Sequence, residues 1–258
     1  MRKFENKLFG MVKSEPVYLI KPKIFNAFSE VLAVMTTKRN VNSSEAFNVG
    51  FTTNSDPERV NENRKILLEQ LGISKDQLAI PKQIHSSNIC YVDKPGIYDN
   101  CDALVTDKRG IYLIVSVADC APVYIYDKSV KAIALVHCGW RGAKEKIVAK
   151  AVDFMVNQFK SDVNNLTAFI GPCASVCCYE VDKEFEEYFD LRFLRFKRNG
   201  KYHFDLKGEI FSQLVNSGLN FRNIEVSRHC TICEADLFHS FRRYGENSGR
   251  MWALFGLR

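Results

Sequence analysis

Cys120 and His137 are the residues whose types and placing first suggest chemistry. They lie in the stretch Tyr112 to Gly142, YLIVSVADCAPVYIYDKSVKAIALVHCGWRG, where two apolar runs rich in Val, Ile and Tyr each end on a side chain able to hold a metal or attack a carbonyl. Strands that stop on reactive side chains commonly border a site. Gly139-Trp140-Arg141-Gly142 and a helical pattern follow at once, which places His137 at a strand-to-helix turn. There the N–H groups of the coming helix are still unpaired and favour an anion.

A third candidate lies upstream, in Gln83-Ile84-His85-Ser86-Ser87. His85, Cys120 and His137 make an N, S, N set of the kind that holds a catalytic zinc with its fourth position open to water. The three are 35 and 17 residues apart and no short ligand pair anchors them. Spacing alone therefore leaves a second chemistry open, with Cys120 as nucleophile, His137 as its base and the glycine-rich turn as an oxyanion hole. Two carboxylates stand near enough in sequence to move protons, Asp119 beside Cys120 and Asp102 at the head of Asp102 to Thr106, although Asp102 also suits a turn cap. Cys138, Cys173 and Cys178 are further thiols of the same region. Cys230-Thr231-Ile232-Cys233 is formally a stronger zinc or redox signature, but a structural site needs a second pair, for which His229 and His239 are a thin substitute.

The elements that must carry these residues follow from periodicity. Loose alternation from Pro16 to Met35 predicts strands and a turn. Ser55 with Glu58 fits a capping box, and Asp56 before Pro57 fits a cap with proline in the first turn; Val60, Leu67, Leu68 and Leu71 then repeat at helical spacing up to Gly72. Asn63 and Arg64 in that helix face either solvent or the site. Short strands are expected at Ile89 to Val92 and Asp102 to Thr106, and Tyr112 to Gly142 reads as two strands joined by Asp127-Lys128-Ser129. A helix follows with Ile147, Val148, Ala151, Met155 and Phe159 on one face. Beyond it come a strand at Leu166 to Ile170, a thiol-rich loop to Val181, a helix capped by Asp182 that carries Phe185, Tyr188 and Phe189, a helix around Ile210 to Val215 ending near Gly218, and a last strand from Met251 to Leu257. Without repeats or linkers this predicts one α/β (α+β) domain over residues 1–258, a layered sandwich of mixed β-sheets flanked by helices, with residues 1–24 as a peripheral N-terminal extension.

Composition narrows the partners. Charged residues are 26% of the chain and the net charge is +6, and the cations are scattered. The densest group, Arg192, Arg195, Lys197, Arg198 and Lys201, lacks aromatic interleaving and reads as a solvated face, so a small anionic substrate fits better than nucleic acid. The N-terminus has no continuous apolar core of a signal peptide, because Glu5, Asn6 and Lys7 interrupt it. The longest apolar run contains Asp119 and Pro122 and falls short of the roughly 20 residues of a membrane span. A cytoplasmic protein with no membrane partner is expected, its nine cysteines unpaired.

Taken in order, Asn48-Val49-Gly50, Asn63-Arg64, Gln83-Ile84-His85, Asp102 to Thr106, Ala118-Asp119-Cys120, His137 to Gly142, Gly171-Pro172, Cys178 to Val181, Cys230-Thr231, Ser240 to Arg243 and Gly249-Arg250-Met251 resemble the motifs of the laccase-domain proteins. These are variously described as multicopper polyphenol oxidases, peptidoglycan editing factors and purine nucleoside phosphorylases. The chain departs from the family pattern at Ser86, Cys138 and Ala174-Ser175, which concerns loop shape and substrate fit rather than ligands. The resemblance implies one catalytic zinc on His85, Cys120 and His137, with copper as the alternative metal, a layered α/β fold and a homodimer. It also implies phosphorolysis of adenosine, inosine, guanosine or methylthioadenosine, and deamination of adenosine. Zinc that lowers the pKa of water to about 7 suits attack at C6 of adenine, with Asp119 or Asp102 moving protons. The nucleoside and phosphate would rest on Asn48, Arg64, Gln83, Arg141 and Arg243, the arginines forming an anion pocket. Two other activities carried by the family names are a cysteine-dependent amide hydrolase or editing factor acting on peptidoglycan precursors and a copper phenol oxidase. The last is disfavoured, since several copper centres demand many imidazoles and the chain has five His.

Overall fold

In the computed structural model the described residues are 16–40, 45–51 and 55–258; residues 1–15 of the expected N-terminal extension lie outside them. The chain begins with β1 (Val17–Ile20), β2 (Val31–Asn40), α1 (Pro57–Leu71), β3 (Leu78–Pro81), β4 (Ile89–Tyr91), β5 (Gly96–Tyr98) and β6 (Ala103–Thr106). It continues with β7 (Tyr112–Val117), β8 (Ala121–Asp127), β9 (Ala132–Cys138), α2 (Trp140–Lys144), α3 (Ile147–Phe159) and β10 (Leu166–Ile170). The last third holds β11 (Glu180–Val181), β12 (Leu194–Phe196), β13 (Tyr202–Phe204), α4 (Leu206–Asn216), β14 (Ile224–Val226), α5 (Phe241–Tyr244) and β15 (Met251–Leu257).

Two mixed six-stranded sheets face each other, one ordered β1-β2-β15-β7-β3-β5 and the other β14-β10-β8-β9-β6-β4; a small third sheet is ordered β11-β13-β12. Both faces of the central strands are covered, so these strands are apolar throughout and alternate residues serve different cores. Along β15, Met251, Ala253, Phe255 and Leu257 enter the core between the sheets, whereas Trp252 and Leu254 pack under α1 with Leu67 and Leu68. Along β8, Ala121, Val123 and Ile125 pack with residues of α3 and α4, while Tyr124 and Tyr126 point at the first sheet. Tyr124 also donates its hydroxyl to Val34 O at 2.8 Å, which pins one sheet to the other. The result is a layered sandwich of mixed sheets flanked by helices in a single domain, as the strand and helix patterns predict.

Four local expectations change. The run Tyr112 to Tyr126 is two strands in different sheets, because the chain crosses between sheets at Ala118-Asp119-Cys120, where Asp119 has φ 90° and cannot continue a strand. The helical pattern after Gly139 breaks into α2 and α3 at Lys146, held in the left-handed region at φ 59°. The N-cap of α1 is Asp56, accepting from Glu58 N, rather than the Ser55 of the expected capping box, whose Oγ accepts from Asn48 Nδ2 at 2.8 Å. Asp182 precedes a 3₁₀ turn, Lys183–Glu187, without a side-chain cap. Val17 to Ile20, inside the expected extension, pair with β2 at the sheet edge. Among the described residues no helix is long and apolar enough to cross a membrane.

Candidate metal centre and active-site cavity

Strand register explains how the three proposed ligands meet. β8 and β9 pair antiparallel with Pro122 opposite His137, so Cys120, just before β8, and His137, near the end of β9, emerge at the same end of the sheet. His85 arrives on the loop after β3, itself at φ 59°. The imidazole rings stand 5.0 Å apart between centroids, nearly edge to face, and the two ring nitrogens and the Cys120 sulfur all lie within 4.8 Å of one another. His137 is buried, Cys120 half-buried and His85 exposed. The group is therefore closed on the protein side and open on the His85 side, as a three-ligand catalytic site requires.

Asp102 ties two of these ligands together. Its carboxylate accepts Nδ1 of His137 at 2.8 Å, the backbone N–H groups of Ile84, His85 and Ser86 at 3.2, 3.0 and 2.7 Å, and the Ser86 hydroxyl at 2.8 Å. A carboxylate on Nδ1 leaves Nε2 as the free donor of His137 and fixes the ring plane, the usual outer partner of a metal-bound imidazole. Asp102 is fully buried behind these side chains and does not line the cavity beside them. Burial pushes its pKa up, but His137 and Ser86 outweigh this and hold it at about 2. Burial likewise pushes the Cys120 thiol up, yet the charge and hydrogen bond of His137, joined by His85, bring it down to about 6. His137 moves the opposite way: burial lowers it, while the Cys120 charge and the Asp102 bond raise it to about 9. Without metal, the two shifts favour a thiolate beside an imidazolium.

These donors suit a borderline-soft divalent ion, and the space around them is shaped to match. A Cβ at Gly139 would lie 2.8 Å from the Cys120 sulfur and 3.7 Å from His85 Cδ2, so only glycine leaves the ligands room. In chelator-treated protein we expect Cys120 to be alkylated by iodoacetamide with a midpoint near pH 6, rising with pH. The exposed Cys177, which burial of its sulfur and the Cys233 sulfur hold up at about 11, will stay unlabelled at pH 7. Peptide mapping that finds Cys177 labelled ahead of Cys120 would contradict this.

The group opens into a cavity of about 1300 Å³. Of the site residues expected from sequence, His85, Cys120, His137, Asp119, Arg64, Gln83 and Arg141 line it. Gln83 clamps its loop to β7 through Ser116 O at 2.9 Å and Ser116 N at 2.7 Å. Asp119 accepts Thr231 Oγ1 at 2.6 Å, Ser240 Oγ at 2.9 Å and Arg242 N at 2.7 Å, so about three of its four lone-pair sites are engaged in holding loops rather than free for proton transfer. Asn48 and Arg243 are not brought to the wall. Asn48 is buried; its Oδ1 accepts Gly50 N and Arg250 N, and its backbone carbonyl accepts Nδ2 of Asn63, which turns Asn63 inward. The Arg243 guanidinium is spent on the carbonyls of Thr231, Ile232 and Phe238, the nearest oxygens to an otherwise buried cation.

Arg242 and Arg250 line the cavity instead, together with the aromatic side chains of Phe51, Trp140, Tyr179 and Phe241. Arg250 lies in the Gly-Arg-Met segment that carries the family resemblance; nothing local in the sequence shows that it packs over Gly50, its Cγ 2.5 Å from a Cβ built there. Arg64 is held between the rings of Phe51 and Trp252, at 3.9 and 4.4 Å from their centroids, and donates Nε to Val49 O at 2.8 Å. Burial lowers its pKa to about 10, which leaves it charged at neutral pH. Among the described residues none of Arg64, Arg141, Arg242 and Arg250 is in an ion pair with a carboxylate. Four guanidinium groups against the single carboxylate of Asp119 in one wall favour an anionic ligand.

Comparison with known proteins gives the chain its relatives. Residues 32–258 match the family model described as multi-copper polyphenol oxidoreductase laccase. The chain is 34% identical over 240 residues to adenosine deaminase RL5 from an unknown prokaryotic organism, covering 85% of this chain and 91% of that protein. It is 30% identical over 246 residues to a purine nucleoside phosphorylase of Bacteroides thetaiotaomicron, covering 88% and 91%. The crystal structure of YlmD from Geobacillus stearothermophilus superposes with a TM-score of 0.88 at 28% identity, over 96% of this chain and 98% of that one.

Proposed function

The chain belongs to the family described as multi-copper polyphenol oxidoreductase laccase, and from that premise we propose that it is a zinc-dependent purine nucleoside enzyme. It would cleave adenosine, inosine, guanosine or methylthioadenosine with phosphate, and deaminate adenosine. The observation that carries this is the meeting of the His85, Cys120, His137 group with four arginines that have no carboxylate ion pair among the described residues, in one cavity. The names of the relatives, adenosine deaminase and purine nucleoside phosphorylase, point to the same substrate class.

A divalent ion held by His85, Cys120 and His137 would supply Lewis acidity to a water or substrate oxygen on the open side of the site. The protein's own groups do the rest. The aromatic walls at Tyr179, Phe241 and Trp140 offer faces for a purine, and Arg64 and Arg250, both organised by the Asn48 to Gly50 segment, offer charge-assisted donors to phosphate. Asp119 holds the loop of Arg242 against the cavity, and Asp102 keeps both histidines aimed. Zinc is favoured over copper oxidation because the described residues form two groups able to hold a metal, and neither has the many imidazoles of a multicopper centre.

The test is an adenosine assay of the purified protein with and without phosphate. Inosine should form without phosphate and free base only with it, and both should stop on chelation. Arg64→Ala should lower phosphorolysis about 10- to 150-fold, the worth of a charge-assisted bond, while deamination, which takes no phosphate, falls far less. A second activity is favoured by one observation, the line of Cys120, His137 and Asp102, which has the layout of a thiol nucleophile, its base and an orienting carboxylate. An amide hydrolase acting on peptidoglycan precursors would keep its turnover under chelation, and that outcome would displace the zinc enzyme.

A further inference from the structure

The Cys230-x-x-Cys233 pair is short of a second pair only along the chain. β10 and β14 lie side by side and parallel, with Ile170 opposite Val226, so the loops that follow them leave the same end of the sheet. One loop carries Cys177 and Cys178 and the other Cys230 and Cys233. We propose that these four cysteines are a second metal site, a tetrathiolate holding one zinc ion that locks the cavity wall.

The four sulfurs all lie within 4.8 Å of one another, and those of Cys177 and Cys233 are 3.4 Å apart. A tetrahedron with Zn–S bonds of about 2.3 Å sets its sulfurs about 3.8 Å apart, so the cluster surrounds room for one ion and needs only small adjustment. The approach is built into the backbone. Cys173 and Cys230 form a parallel bridge, and Thr231 N donates to Cys173 O at 3.1 Å. The neighbouring carboxylate is already committed, since Glu234 accepts Cys230 N at 2.9 Å and His229 Nδ1 at 2.7 Å. The donor set is then all sulfur, which selects zinc or a comparably thiophilic ion over a hard cation.

The placing gives the ion a task. Tyr179 of the cavity wall directly follows Cys178, and Thr231, which holds Asp119, directly follows Cys230. Cross-linking the two loops fixes both. Cys178 and Cys230 fall within the family motifs, whereas Cys177 and Cys233 complete the set in this chain.

Metal content of intact protein purified without added zinc chelator tests the proposal. Wild type should carry one more equivalent of zinc per chain than Cys177→Ser/Cys233→Ser. In addition, His85→Ala/His137→Ala, which leaves all four cysteines, should still take up one equivalent of Co(II), with the intense visible bands and sulfur-to-cobalt charge transfer of a tetrahedral thiolate site. This second measurement does not depend on the serine variant folding. Equal metal in wild type and Cys177→Ser/Cys233→Ser, no tetrathiolate spectrum in the histidine variant, or a Cys177 to Cys233 disulfide in the freshly purified protein would each overturn it.

Discussion

Alanine at position 137 is expected to remove the catalytic metal and at least about 100-fold of turnover together. Losing an outer partner of a metal-bound imidazole alone costs about 10- to 100-fold in affinity or activity, and losing the imidazole itself must cost more. His137 contributes twice over. It is the buried donor of the three and its charge does most to keep the Cys120 thiol ionised, so its removal leaves only His85 to oppose the influence of burial on Cys120. The fold should survive, because Asp102 retains the three backbone N–H groups and the Ser86 hydroxyl as partners. Elemental analysis beside the adenosine assay checks both halves. Since the four-cysteine site keeps its own ion, total zinc should drop by one equivalent and not to zero. Full turnover in this variant would sink the zinc enzyme outright.

Asparagine at position 102 is expected to cost about 10- to 100-fold in metal affinity and to lower thermal stability as well. The aspartate serves five donors, and an amide has one acceptor oxygen and brings two N–H groups of its own. At least one buried donor then faces a donor, at about 1–3 kcal/mol for each group left unmatched. For a chain of this size each kcal/mol corresponds to roughly 2–4 °C in Tm. The pH dependence has a definite sign. The folded-state pKa of Asp102, about 2, lies below the ordinary carboxylate value of about 3.9, so its stabilisation is present above pH 4 and is lost as pH falls through 2. Melting curves of wild type and Asp102→Asn should therefore be well separated at neutral pH and converge between pH 4 and pH 2. A constant gap across that range would show that Asp102 does not carry the charge described.

Much of the architecture was legible in the chain because strands covered on both faces must be apolar at every position, and such runs as Met251 to Leu257 stand out. Boundaries set by single backbone torsions did not show: Asp119 and Lys146 look like ordinary strand and helix residues until their left-handed conformations break the element. At the site, motif resemblance supplied His85, Cys120 and His137, whereas spacing left a metal and a thiol nucleophile equally open. Asp102 could be read as a cap or an acid–base group, and its true part needs the fold, since its five donors come from positions 84 to 86 and 137. Arg250 and Arg243 are both arginines of the C-terminal motifs, and only the packing of Gly50 against one and of loop carbonyls against the other decides which meets the cavity. The second cysteine pair was invisible for the same reason, 51 residues of chain separating Cys178 from Cys230.

The turn Ala118-Asp119-Cys120 is the seam where the chain passes from one sheet to the other, and a proposed metal ligand sits on it. His85 follows β3 of the first sheet, whereas Cys120 and His137 sit on the paired β8 and β9 of the second, so parting the sheets would draw one proposed donor away from the other two and link ion occupancy to cohesion of the sandwich. An ion present at 100 times its dissociation constant contributes about 2.7 kcal/mol to the folded state. The catalytic ion would then also act as a rivet through the protein's midplane, and a metal-poor cell would hold a looser molecule as well as an idle one.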